Sequence, residues 1–221
     1  MNPLRARRHL IAAGGLMLAA PALLLWPASA AGNAPHPAAA YLGAVSQRAI
    51  AGLTDPERTD GEREVLFREL LNEAFDIATI GRFVVGRYWR KASKQQQRDF
   101  LQIFEDVVVQ RFLPLFGMYN NERLIVGNGR ADKHNPRIVV VDSTFVDSQG
   151  TVVKVNWRMR DKDNRFQIFD VMVEGISMAI TLRSEYASVI KNAGGLGGLV
   201  ELLREKLERG EFAPKAIGSI Q

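Results

Sequence analysis

Residues 151–160 read TVVKVNWRMR, and residues 165–174 read RFQIFDVMVE. In the first stretch Val153, Val155, Trp157 and Met159 alternate with Lys154, Asn156, Arg158 and Arg160. A period of two puts the apolar side chains on one face of a strand and the polar ones on the other, the pattern of an antiparallel sheet with one dry and one wet side. Between the two stretches, Asp161-Lys162-Asp163-Asn164 is a turn sequence short enough to close a hairpin. In the second stretch the alternation is clean at Val171 and Val173, whereas Asp170 reads as sharing a face with Phe166, Ile168, Met172 and Glu174. Glu174-Gly175 then ends the strand, because a residue without a side chain lets the backbone turn. Ser177 or Ser184 can cap the helix that follows.

Upstream, RIVVVDSTFVD (137–147) and ERLIVG (122–127) extend the pattern to four strands, with Asp147-Ser148-Gln149-Gly150 as a second tight turn. Before Tyr119 the apolar period is about 3.6 instead of 2. Leu42, Val45, Ala49 and Leu53 recur at helical spacing until Asp55-Pro56. Thr59 and Glu62 make a capping box ahead of VLFRELLNEAF, and Asp76 can cap IATIGRFVV. A second capping box, Ser93 and Gln96, opens a long helix whose broad apolar face carries Phe100, Phe104, Val107, Val108, Phe112 and Leu115. Pro114 should kink or end that helix. Beyond the strands, Ala179, Leu182, Tyr186, Val189 and Ile190 mark one helix and LVELLREKLERG another. The expected class is α+β: N-terminal helices, a curved four-stranded antiparallel sheet and two C-terminal helices.

The chain has 221 residues, 47% of them apolar and 24% charged, enough for one domain with a real core. Residues 1–30 read as an export signal, with Arg5, Arg7 and Arg8, an uncharged apolar stretch over 10–26, and the small-x-small site Ala28-Ser29-Ala30. That stretch is short for a span and contains Gly14, Gly15 and Pro21. Arg7-Arg8 admits the twin-arginine route beside the general secretory one. Residues 31–36 form a tether, 37–210 a single domain and 211–221 a tail. Export places the protein in the periplasm, where the absence of cysteine means that no disulfide supports the fold and that thiol chemistry is excluded. The first 30 residues contain three of the 29 cations and no acid, so the remainder holds 26 cations against 24 acids. That balance does not call for a polyanion partner.

Catalytic and metal constellations are missing from the sequence. His9, His36 and His134 lie outside the patterned elements, so neither a histidine triad nor a clustered metal site has material, and no cofactor is expected. GGLGG at 194–198 follows no strand and precedes no Lys-Ser or Lys-Thr pair; it reads as a helix C-cap followed by a helix start, not as a phosphate cradle. Asp142 and Asp170 lie within apolar strands, and either one turned inward could serve a small-molecule enzyme as a base. Solvent-facing or strand-end carboxylates are the commoner outcome. Between 82 and 98 the chain carries Arg82, Arg87, Arg90, Lys91, Lys94 and Arg98 with no acid, interleaved with Tyr88 and Trp89. Such a run is either a solvated helix face or a surface for a partner or an anionic headgroup; export argues against nucleic acid.

Two segments resemble a known family. FDIATIGRFVVGRYWRKASKQQQRDFLQIFEDVVVQRF is similar to the part of MlaC-type proteins with an Asp-led helix, a Gly-x-x-Trp turn (Gly86, Trp89) and a Phe-rich helix. FQIFDVMVEGISMAITLRSEYASVIKNAGGLGGLVELLREK resembles their C-terminal signature, with Asp170, Val173-Glu174-Gly175, Ser177, Arg183, Tyr186 and a double glycine before the last helix. The resemblance covers residues 37–209 and departs from the family at Gly197, where many members carry an acid. It implies a non-enzymatic, monomeric periplasmic phospholipid carrier, also called a toluene-tolerance auxiliary protein. Such a carrier works between an outer-membrane lipoprotein complex and an inner-membrane MCE-type ABC transporter; a hopanoid-associated branch looks much the same. On this reading the sheet face (Val153, Val155, Trp157, Met159, Val171, Val173) and the long helix (Phe104, Val107, Val108, Phe112) enclose an apolar cavity for acyl chains. The plain alternative is that these residues pack on one another as a dry core.

Overall fold

The computed structural model describes residues 36–162 and 165–214. The expected signal over 1–30, most of the tether and all but the first four residues of the tail lie outside the described residues. Five helices come first: α1 (Pro37–Leu53), α2 (Asp60–Ala74), α3 (Ile77–Val85), α4 (Arg87–Lys91) and α5 (Lys94–Gly117). The strands are β1 (Arg123–Ala131), β2 (Ile138–Val146), β3 (Val152–Lys162), β4 (Arg165–Val173) and β5 (Ile176–Ser177), followed by α6 (Met178–Asn192) and α7 (Leu196–Glu208). The fold is α+β, and its sheet is an antiparallel meander in sequence order. No described helix is long and apolar enough to cross a membrane.

Local chemistry sets most of these boundaries. Both capping boxes form, with Thr59 and Ser93 accepting from the backbone N–H groups of Glu62 and Gln96. Asp76 caps α3 by accepting from the Thr79 N–H, and its own N–H donates to the Ile168 carbonyl at 2.9 Å, which sews the α2–α3 junction to β4. Ser177, not Ser184, caps α6: its Oγ accepts from the Ile180 N–H at 3.1 Å, while Ser184 donates to Ile180 O within the helix. His36, expected in the tether, is the N-cap of α1. Pro114 does not end α5, which runs on to Gly117. Its final turn carries Phe116, packed edge-on to Phe67, and one turn before Pro114 the Gln110 side chain donates to Leu207 O and accepts from the Phe212 N–H.

The fifth strand comes from Glu174-Gly175. Both residues have positive φ, 49° and 81°, as a two-residue type I′ hairpin turn requires. The chain therefore doubles back to pair Val173 with Ile176 and Met172 with Ser177 before α6 begins. Expected as the end of a strand, this dipeptide is the tip of a hairpin.

A β-bulge in β4 corrects the expected facing of that strand. Arg158 pairs with Asp170 while the next residue, Met159, pairs with Ile168, so Phe169 is an extra residue. One inserted residue flips the alternation. Phe166 and Ile168 consequently share the inner face with Val171 and Val173, whereas Asp170 and Met172 point outward with Arg158 and Asn156. The Phe169 ring lies under the guanidinium groups of Arg158 and Arg160, at 5.2 and 4.6 Å from its centroid.

Two apolar clusters hold the domain. A helical core joins Phe67, Leu70 and Leu71 of α2, Val84 and Val85 of α3, Phe100 and Phe104 of α5, Tyr186 and Ile190 of α6, and Leu199 and Leu203 of α7. A sheet core sets Ala38, Ala39, Leu42 and Val45 of α1 against Val139, Val141, Met159 and Ile168. Phe75 touches both.

In the 194–198 run, Gly194 has φ 74° and the Gly195 N–H donates to Ile190 O at 3.0 Å, the closing bond of a Schellman cap. Gly198 is needed for space: a Cβ there would collide with the Ala193 carbonyl. Gly198→Ala should therefore destabilise by about 2 kcal/mol through forced displacement of α7, a fall in Tm of roughly 4–8 °C for a domain of this size. An unchanged melting curve would show that the α6–α7 junction yields freely.

Candidate functional site

The inner face of the sheet is built in rows that cross the strands. Row one holds Val139, Met159 and Ile168; row two Val141, Trp157 and Val171; row three Val126, Ser143, Val155, Val173 and Ile176; row four Leu124, Phe145 and Val153. Row one is buried beneath α1. Trp157 and Val171 sit at the margin of that core, partly buried, with the Trp157 ring edge-on to Phe75 at 6.5 Å.

Rows three and four differ. Val155 is only 9% exposed, yet it belongs to neither core, and neither do Val153, Val173, Phe145, Leu124 or Ile176. Exposure rises along the face to 36% at Phe145 and 60% at Ile176. The polar side chain in row three is satisfied locally: Ser143 Oγ accepts from Trp157 Nε1 at 2.8 Å and donates to Val155 O at 3.0 Å. What remains is an apolar strip at the far end of the sheet face, here termed the trough, whose residues belong to neither cluster and grow more exposed away from α1. Leaving such surface bare costs ~25 cal/mol per Å², so the trough favours an apolar occupant.

The ten expected lining residues are divided between these environments. Val153, Val155 and Val173 lie in the trough, Trp157 and Val171 on its margin, and Met159 in the dry row. Phe104 and Val107 are buried in the helical core, Phe104 stacked on Phe100 at 5.6 Å and edge-on to Tyr186 at 6.4 Å. Val108 packs at the edge of that core, and Phe112 is exposed with the Arg111 guanidinium over its ring. The structure thus gathers the sheet half of the set and leaves the α5 half among the other helices. Phe145, Leu124 and Ile176, outside the expected set, lie on the same stretch of the face, Phe145 directly across from Val153.

The acidic candidates are engaged elsewhere. Asp142 points outward, accepting from Asn156 Nδ2 at 2.6 Å and Arg130 Nη2 at 3.1 Å. Asp170, expected at the surface or at a strand end, is instead mid-strand and buried. It accepts from Ser177 Oγ and the Ala179 N–H, beside Arg158, on the outward face. Both carboxylates are thus across the sheet from the trough. Burial pushes the Tyr186 hydroxyl up to about 12, so this phenol stays protonated. Among the described residues no three His, Asp or Glu side chains converge as a metal site. A cleft of ≈ 640 Å³ between α2, α5 and α7 is lined by ion-pairing side chains such as Glu64, Arg68 and Asp106, and by none of the ten expected residues.

With this geometry in hand, the family assignment is direct: a family model described as MlaC protein matches residues 44–205. The chain belongs to the MlaC family. A relative from Haemophilus influenzae, described as the intermembrane phospholipid transport system binding protein MlaC, is 17% identical over 144 residues. The match spans 61% of this chain and 61% of that relative's length. A solved structure from Ralstonia solanacearum, described as a phospholipid-binding protein in complex with a phospholipid, shares the fold. It superposes with a TM-score of 0.67 at 23% identity, over 79% of this chain and 98% of that one. The MlaC family match includes all five strands of the sheet.

Proposed function

We propose that this protein is a periplasmic carrier that binds phospholipid acyl chains in the trough of its sheet. The supporting observation is the far end of the inner sheet face, where apolar side chains such as Phe145, 36% exposed, and Ile176, 60% exposed, belong to neither core. Family membership and a phospholipid-bound relative of the same fold supply the ligand class. Each buried CH₂ contributes ~0.8 kcal/mol, so one 16-carbon chain represents roughly 12 kcal/mol of burial. A lipid held that well escapes into water too slowly to be useful. Transfer must then happen at docked complexes, which suits a shuttle between an outer-membrane lipoprotein complex and an inner-membrane MCE-type ABC transporter. The protein supplies solubility to its cargo; no chemical step is required of it.

Native mass spectrometry of protein purified from cells should record a population heavier by one phospholipid, and extraction should identify its headgroup and tails. Protein that is consistently lipid-free would overturn the reading. An extracted hopanoid would keep the carrier and change its cargo.

A further inference from the structure

We propose that the knuckle formed by α3, α4 and the start of α5 is a docking surface for an anionic phospholipid bilayer. Arg82, Arg87, Arg90, Lys91, Lys94 and Arg98 are all exposed there, with no acid between 82 and 98. Arg183 of α6 reaches the same place: its guanidinium lies 4.8 Å from the Phe83 ring centroid, and a Cβ on Gly86 would sit 3.2 Å from its Nη2.

Among the described residues none of these seven cations has a carboxylate within ion-pair distance, and what sets the patch apart is their clustering without an intervening acid between 82 and 98. Arg48 pairs with Glu73, Arg63 with Asp60, Arg68 with Glu64 and Asp106, Arg204 with Glu201, and Arg209 with Glu211. A patch serving only stability or solubility would interleave both signs, as the stretch around Arg63 and Arg68 does. Seven unpaired cations repel one another, and an anionic surface relieves that repulsion.

The aromatic residues favour a bilayer over an acidic protein. Arg82 stacks on Trp89 at 5.4 Å, Arg87 on Tyr88 at 5.2 Å, and Phe83 is 39% exposed. Tyr88 and Trp89 are partly buried against the helical core while Phe83 is exposed, so the cations lie over the rings at the surface. These are the materials of a membrane interface, where aromatic groups sit at headgroup level and cations meet phosphates. Recognition of this kind needs no fixed geometry in the partner. The inference goes beyond the carrier reading and stands without it.

The test is flotation of the protein purified after export with vesicles of phosphatidylcholine containing about one-third phosphatidylglycerol, against phosphatidylcholine alone. Binding is expected to the anionic vesicles only, and to fade as salt shortens the screening length from ~10 Å at 0.1 M to ~3 Å at 1 M. The variant R90E/K91E/K94E/R98E, which breaks no ion pair, should bind weaker by on the order of a thousandfold or more. A control with the same charge change elsewhere, R123E/K133E/R137E/K191E, should keep most of the binding. Equal loss in the two variants, equal binding to neutral vesicles, or binding to poly-glutamate but not to vesicles would each overturn the proposal. Co-purified lipid, measured on the same variants, reports separately on the carrier reading.

Discussion

Met159→Glu is expected to yield no folded protein, whereas Val153→Glu should fold normally and lose its lipid. The two positions share one strand and one face. Met159 is fully buried in the row under α1, where Ala38, Ala39 and Leu42 bring the helix close to the sheet. A carboxylate there finds neither water nor a partner, and its desolvation costs several kcal/mol, a large share of the ~5–15 kcal/mol that holds a domain together. Val153 lies in the outermost row opposite Phe145, partly open to solvent and packed in neither core. A glutamate there stays hydrated until an acyl chain arrives, and the chain must then strip it of water. Affinity should fall by about 3 kcal/mol or more, upwards of a hundredfold. Thermal melts and native mass spectrometry on both variants decide the matter. If Val153→Glu unfolds as readily as Met159→Glu, the trough is an ordinary core and the carrier reading loses its site. If Val153→Glu folds and still carries lipid, the site lies elsewhere.

Much of this architecture was legible in the sequence because it is written in local rules. Capping at Thr59, Ser93 and Ser177 depends on a side-chain oxygen and a backbone N–H three residues on, and all three caps form. The alternation in β3 survives intact, since a central strand with one buried face has little freedom of register. What failed to show was non-local. The bulge at Phe169 carries no signature of its own; it is stabilised by Arg158 and Arg160 on the neighbouring strand, and it reverses which residues of β4 face inward. Pro114 obeys the local rule in isolation, but contacts from α2, α7 and the chain beyond α7 hold the helix on either side of it. The site divides in the same way. Its sheet half follows from periodicity. The apolar stripe of α5 looks identical whether it faces a sheet or other helices, and Phe104 and Val107 take the second option.

Asp170→Ala should be the most damaging substitution outside the apolar clusters, lowering stability by about 3 kcal/mol and Tm by roughly 6–12 °C. The carboxylate is 5% exposed on the outward face, and three separate bonds meet on it. Ser177 Oγ donates to both of its oxygens, at 2.9 and 2.8 Å, while itself capping α6. The Ala179 N–H donates at 3.2 Å, which places a negative charge at the N-terminus of that helix. Arg158 Nη1 approaches at 3.5 Å from β3. One side chain therefore ties two strands to the start of α6, directly after the Glu174-Gly175 hairpin. Alanine removes the ties and leaves a half-buried guanidinium without its counter-charge. Asp170→Asn keeps an acceptor for Ser177 or Ala179 and should lose less than half as much. Ser177→Ala alone should cost about 1 kcal/mol, and the double variant should fall short of additivity by a similar amount, because the two side chains act through a shared bond. Additive losses would mean that Asp170 and Ser177 support different parts of the structure. An Asp170→Asn protein with a normal melt but abolished transport would point the other way, to a role for this carboxylate in handling cargo from the face opposite the trough.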